Sequence, residues 1–184
     1  QVKIFEPSIS LEAGIFLNLN WDEYPMRNRY DVAELAITVA ASLANWLITR
    51  RQSAGLYTNG CDPMENGAPA LPLPPHRGQG HLMHILQTLG RVQFTATFPL
   101  VQLIQNQSIH LAWGSSLLVI SPQVEDALFD QLFEARRSGL SPVIILCGQT
   151  GTTRETRQKA LSFGFPAYLI NSESDLDPYH KNFI

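Results

Sequence analysis

Two spacings of apolar residues organise this chain. Residues 14–19 form an apolar run that stops at Asn20-Trp21-Asp22-Glu23-Tyr24. Residues 13–20 therefore read as a strand buried on both faces, whose end delivers polar groups into a turn. The period changes over residues 29–51, where Val32, Leu35, Ala36, Val39, Leu43, Trp46 and Leu47 follow the i, i+3, i+4, i+7 rule. Ala33, Ile37, Ala40 and Ala44 widen that stripe, which predicts a helix packed on more than one side. A second strand is expected over 54–58, closed by Asn59-Gly60. The Pro-, Gly- and Asn-rich stretch 61–75 predicts a loop, with a short edge strand over 70–73 because Pro72 and Pro74 would break a central ladder.

Gly78 and Gly80 open a further helix with Leu82, Ile85, Leu86 and Leu89 on one face, and a short helix is expected over 98–105 with Pro99 in its first turn. Residues 115–120 predict a buried strand. Ser121-Pro122 then offer an N-cap and an N1 proline for a helix ending near Gly139. Residues 142–147 predict the next strand. Thr152 and Glu155 have capping-box spacing for a helix ending at Gly164, and 167–170 predict the last strand. Residues 2–5 read as a peripheral strand within 1–7, and 172–184 as a polar tail. Strands alternating with helices predict one α/β domain over 1–184, a doubly wound, mostly parallel, Rossmann-like sheet with helices on both faces. The hairpin after the second strand, followed by two short helices, resembles the element order of the von Willebrand factor A domain.

Composition narrows the partners. The 184 residues allow one substantial core. The net charge is −3 and no basic run exceeds Arg50-Arg51, so a phosphate-neutralising surface is missing and no nucleic-acid partner is expected. The apolar stretch 32–48 is interrupted by Glu34 and Asn45 and falls short of the roughly 20 residues a bilayer span needs, so no membrane contact is expected from this segment. Cys61 and Cys147 stand far apart, the usage of a reducing compartment. Residues 1–5 lack the basic start of a secretory signal, and the chain, which begins with Gln, is expected to be part of a longer protein.

In a doubly wound sheet, ligands bind in the crevice above the carboxyl ends of the strands. That crevice is expected to collect Asn20, Asp22, Asn59, Thr97, Ser121 and Gln149. Von Willebrand A domains hold Mg²⁺ or Mn²⁺ there through Asp-x-Ser-x-Ser, a Thr and a later Asp. The resemblance sets these positions on Asn20-x-Asp22-x-Tyr24, Thr97 and Ser121-Pro122. One carboxylate remains, a poor charge match for a divalent ion. No cofactor is therefore expected, and Asn20, Asp22 and Thr97 are the residues that would meet Mg²⁺ or Mn²⁺ if either bound.

The other constellations are read as structural. His76, His81 and His84 cluster but lack the glutamate company of a zinc helix, so solvated or capping roles are expected. Residues 148–153 form a Gly/Thr-rich turn without the Gly-Lys-Ser/Thr ending of a P-loop, and no G-x-S-x-G elbow is present. Cys147, Trp46 and Trp113 sit among apolar residues and are expected in the core. No catalytic residue is expected. The rim Asn20, Trp21, Asp22, Tyr24, Asn59, Thr97 and Ser121 reads instead as a protein-binding surface with Trp21 as its exposed anchor. The alternative is a metal-dependent binding or hydrolytic protein using the same crevice.

Val2-Lys3-Ile4-Phe5-Glu6-Pro7, Ile15-Phe16-Leu17-Asn18-Leu19-Asn20, Gly55-Leu56-Tyr57-Thr58-Asn59-Gly60 and Pro75-His76-Arg77-Gly78-Gln79-Gly80-His81-Leu82 together resemble a bacterial family, domain of unknown function number 58. Residues 117–121 and the helix after them extend the resemblance over most of the chain. That family is a degenerate von Willebrand A-like domain placed after membrane-spanning segments and a β-rich region, often encoded beside MoxR-type AAA+ ATPases. The resemblance implies a non-enzymatic interaction module with a degenerate metal site. It would be the C-terminal soluble part of a protein anchored in the bacterial inner membrane, at the cytoplasmic face, working with a MoxR-type ATPase in complex assembly.

Overall fold

The computed structural model describes residues 12–148 and 153–176. The expected strand over 2–5, the Thr152 end of the capping box, Gln149 and the end of the polar tail lie outside them. Among the described residues six strands form one sheet in the order β3-β2-β1-β4-β5-β6: β1 (Glu12–Leu17), β2 (Ser53–Thr58), β3 (Leu73–His76), β4 (Ser116–Ser121), β5 (Ser141–Cys147) and β6 (Ala167–Ile170). All neighbours run parallel except β3, which is antiparallel to β2. The described residues also hold five α-helices: α1 (Arg29–Thr49), α2 (Gln79–Leu89), α3 (Leu100–Gln107), α4 (Asp126–Arg137) and α5 (Thr153–Ser162).

Alternation along the strands builds two cores. Ile15, Leu17, Leu56 and Ile120 face α1 and α2, joining Val32, Leu35, Ala36, Val39, Leu82, Ile85 and Leu89. Phe16, Tyr57, Leu117, Val119, Ile144 and Leu146 face the other way, with Leu103 and Ile104 of α3, Leu128, Phe129 and Leu132 of α4, and Ala160 of α5. α1 is long and apolar enough to cross a membrane by length and composition, yet its wide stripe packs on the sheet as a core helix. Cys147 is buried as expected, and burial pushes its thiol up to about 12. Tyr57 stacks on Phe16 with ring centroids 4.7 Å apart, but its buried hydroxyl meets no hydrogen-bond partner among the described residues. Removing that unsatisfied group by Tyr57→Phe is expected to raise stability by about 1 kcal/mol, read by urea denaturation. A loss instead would show that the hydroxyl is satisfied.

Several sequence expectations shift. The edge strand is not 70–73 but Leu73–His76, because the Ala70 amide is already donated to Gly60 O while Leu73 and His76 meet Leu56 and Ala54. Pro74 and Pro75 are tolerated there on the sheet's outer edge. The Leu73–Pro75 backbone crosses so closely that a Cβ on Gly55 would lie 2.9 Å from Leu73 O and Pro75 N. Pro99 is the extended residue before α3 rather than part of its first turn. Ser121-Pro122 do not cap α4, which starts four residues later behind Glu125, because the Ser121 hydroxyl is engaged elsewhere.

Trp46 and Trp113 are not core residues: they are 49% and 85% exposed. Trp46 lies on the flank of α1 under the Arg50 guanidinium, 4.4 Å from its ring centroid. Trp113 lies on Gly139 so closely that a Cβ there would fall 2.1 Å from the ring. The start of the expected polar tail is docked, since a 3₁₀ turn at Glu173–Leu176 packs Leu176 against the α1 side of the core.

Candidate functional site

The end of β1 is the centre of the crevice, and its pivotal residue is Asn18. The strand was expected to run to Asn20 but ends at Leu17, because the Asn18 side-chain oxygen accepts the Asn20 amide at 3.0 Å and turns the chain out of the ladder. Asn18 is fully buried. Its Oδ1 also accepts from Asn59 Nδ2 at 3.1 Å. Its Nδ2 donates to Glu23 Oε2 at 2.6 Å and to Ser121 Oγ at 3.1 Å. The Asn18 carbonyl accepts the Tyr24 hydroxyl at 2.5 Å, and burial drives that phenol well above its ordinary range. One side chain thus ties β1 to β2, β4 and the turn that follows it.

Around this hub each polar group has an internal partner. Asn59 Oδ1 accepts the Leu19 amide at 2.6 Å, and its Nδ2 also donates to Phe98 O at 2.8 Å. Asn20 Oδ1 accepts the Thr97 amide at 3.1 Å. Thr97 Oγ1 donates to Asn59 O at 2.9 Å and accepts from Phe98 N at 2.5 Å. Ser121 Oγ donates to Gln123 O at 2.8 Å.

Glu23 reaches from the 3₁₀ turn Trp21–Glu23 to the first amide of α3, with Leu100 N 3.3 and 3.4 Å from its two oxygens. Burial raises the Glu23 carboxyl, bonds from Asn18, Leu100 and Asn20 pull it down, and nearby Glu125 adds to the rise, so the net direction is upward from 4.5. A raised folded value means the folded state holds this proton more tightly. The corresponding stability is full below about 4.5 and is lost as pH rises through the folded value. Glu23→Gln is therefore expected to gain on the wild type as pH increases from 4 to 7 in paired urea titrations, and a constant difference would contradict the burial argument.

The expected rim divides by depth. Asn20, Tyr24, Asn59 and Ser121 are buried and form the floor, not the rim, because they spend their polar atoms on the network. Thr97 is half-buried, while Asp22 is exposed. Trp21 is not a free anchor. It stacks on Phe94 at 5.5 Å, meets the edge of Tyr30 at 5.3 Å, and carries the Arg29 guanidinium 4.3 Å from its ring centroid. Tyr24 joins from below, 4.7 Å from Phe94.

Asn18 and Glu23, the residues with the most consequence here, were absent from the expected set. Asn18 was visible as the lone polar residue between Leu17 and Leu19, and a polar residue inside a buried run needs partners. Tyr30 and Phe94 carried no local signal, since their partner Trp21 is distant in sequence or lies across a turn.

The histidines do not converge on this site. His81 Nε2 lies 2.8 Å from Ala54 O of β2, and burial lowers its pKa, helped by His76 and His84 and opposed by the Ala54 bond. Among the described residues no three His, Cys, Asp or Glu side chains group as a metal site.

The chain matches no protein-family model and no curated protein by sequence. By structure it is similar to the open pilus adhesin SpaC from Lactobacillus rhamnosus GG, with a TM-score of 0.60 and 11% identity over 90% of this chain and 28% of that one. It is similar to a von Willebrand factor type A protein from Catenulispora acidiphila, with a TM-score of 0.57 and 10% identity over 89% and 39%. The SpRpn10 VWA domain superposes with a TM-score of 0.57 and 17% identity, covering 90% of this chain and 93% of that one. The chain spans well under half the length of the first two proteins. At these identities the likeness is one of fold: this is a von Willebrand factor A-like α/β domain.

Proposed function

We propose that the domain is a non-enzymatic protein–protein interaction module whose binding surface is the rim above β1, and that it works without a metal. The observation that carries this reading is the saturated Asn18 network. The resemblance sets the carboxylate position on Asn20, whose side-chain oxygen is taken by the Thr97 amide, and Asn18 beside it is an amide whose oxygen already accepts two bonds. Its nitrogen donates to Glu23 and Ser121, so the face toward the crevice is a donor, which a cation repels. Asp22 is exposed in the turn, outside the hydrogen-bonded network. This donor set does not suit Mg²⁺ or Mn²⁺ and does not support the metal-dependent hydrolytic alternative. Rigid aromatic groups at the same rim suit contact with protein.

The partner class follows from the family resemblance: a MoxR-type AAA+ ATPase, met at the cytoplasmic face by the soluble C-terminal part of a membrane-anchored protein. The test is retention of a purified MoxR-type ATPase on the immobilised domain. Retention by the wild type, lost in Trp21→Ala with the fold intact by circular dichroism, is the expected result. Equal retention by the variant would place the contact elsewhere, and no retention by the wild type would remove this partner.

A further inference from the structure

The first turns of α1 carry a surface whose chemistry the network does not use. Tyr30 is 60% exposed although one edge packs on Trp21 and Phe94. Met26, just before it, is 84% exposed. Glu34 lies one helical turn beyond Tyr30 and three residues after Asp31, so its side chain neighbours both on the helix surface. Asp31 and Glu34 are exposed, and among the described residues neither forms an ion pair. Asp31 favours the helix N-terminus, but Glu34 lies beyond that first turn and has no such role. The result is a fixed aromatic ring beside two solvated carboxylates.

The neighbouring ring shows what this combination accepts. The Arg29 guanidinium sits over Trp21, whose stacking on Phe94 holds its plane. A flat cation with its charge over a ring and its N–H groups free for a carboxylate is the geometry that arginine supplies and lysine does not. At Tyr30 the carboxylates are present and, among the described residues, no cation is stacked on the ring, Arg29 being taken up by Trp21. We infer that Tyr30, Asp31, Glu34 and Met26 form a docking surface for an arginine-bearing segment of a protein partner, with guanidinium stacked on Tyr30 and paired to Glu34, and an adjacent apolar residue on Met26. The inference rests on the proposed interaction role and names the chemistry of its partner. An anionic lipid surface is disfavoured, since the exposed carboxylates of Asp22, Asp31 and Glu34 outnumber the cations Arg27 and Arg29 in the same segment.

The probe is a short peptide, acetyl-Gly-Arg-Leu-Arg-Gly-amide, compared with versions carrying citrulline or lysine at both arginine positions. Binding is followed by ¹H–¹⁵N spectra of the domain. The arginine peptide is expected to shift resonances of residues 21–34, including the Trp21 indole, and to bind about fivefold more weakly to Tyr30→Ala and to Glu34→Gln. Asp130→Asn, an exposed acid on α4 across the sheet from α1, is expected to bind as the wild type does. Citrulline should abolish the shifts and lysine should reduce them.

Shifts scattered over the acidic surface, equal binding of the lysine peptide, or no shift at millimolar peptide would each overturn the inference. The outcomes separate from the broader reading. Loss of ATPase retention in Trp21→Ala together with a silent arginine titration would leave the rim in place and remove only this partner chemistry.

Discussion

Asn18→Asp is expected to cost about 3 kcal/mol at neutral pH, although it replaces one atom group by another of the same shape. The native Nδ2 donates to Glu23 Oε2 at 2.6 Å and to Ser121 Oγ at 3.1 Å. A carboxylate there would set two acidic groups in contact inside a buried site, where both cannot ionise. The pair would titrate as a unit and hold one proton above the ordinary carboxylate range. Its penalty is therefore small in acid and grows as pH rises through that shared value. Urea denaturation of variant and wild type between pH 4.5 and 7.5 measures it. A small loss that does not change with pH would mean that Asn18 is not the hub of this network.

The second large effect lies at the base of the loop between β2 and β3. Asp62 is 2% exposed and accepts the Met64 amide at 3.0 Å and the Arg91 Nε at 2.7 Å, joining that loop to the end of α2. Burial pushes the Asp62 carboxyl up, but the Met64 amide and the Arg91 guanidinium outweigh it and leave it below 3.8. Asp62→Asn keeps the cap and loses the ion pair, and Asp62→Ala loses both. The alanine variant is expected to lose about 2–3 kcal/mol, discounted because Arg91 is partly solvated. A depressed folded value contributes stability above the ordinary 3.8 and loses it as pH falls through the folded value. The gap between wild type and Asp62→Asn should thus hold steady at neutral pH and close in acid. A gap that widened in acid would contradict the assignment.

Both effects show what a sequence reveals and what it hides. The central strands and α1 were legible because burial imposes periodicity, and their bounds fall within a few residues of expectation. The edge strand moved by three residues because prolines carry no such pattern and its register depends on which amides are already taken, as at Ala70. Ser121-Pro122 looked like a helix start because the local rule knows nothing of Asn18, over a hundred residues away in the chain. Trp46 and Trp113 counted as apolar, yet an arginine face and a glycine surface held them outside the core.

At the site, the turn after β1 was identified as the place to look, but the residue types were assigned to the wrong depth. Hydrogen-bond partners distant in sequence decide depth, and Asn20, Asn59 and Ser121 all find theirs across the crevice.

On the proposed reading the crevice is closed by its own hydrogen bonds and takes no metal ion. Titration calorimetry of the wild-type domain with Mg²⁺ and with Mn²⁺ tests it directly. No saturable heat is expected for either ion. A saturable one-to-one isotherm in the millimolar range or tighter, weakened by Asp22→Asn or Thr97→Val, would contradict it.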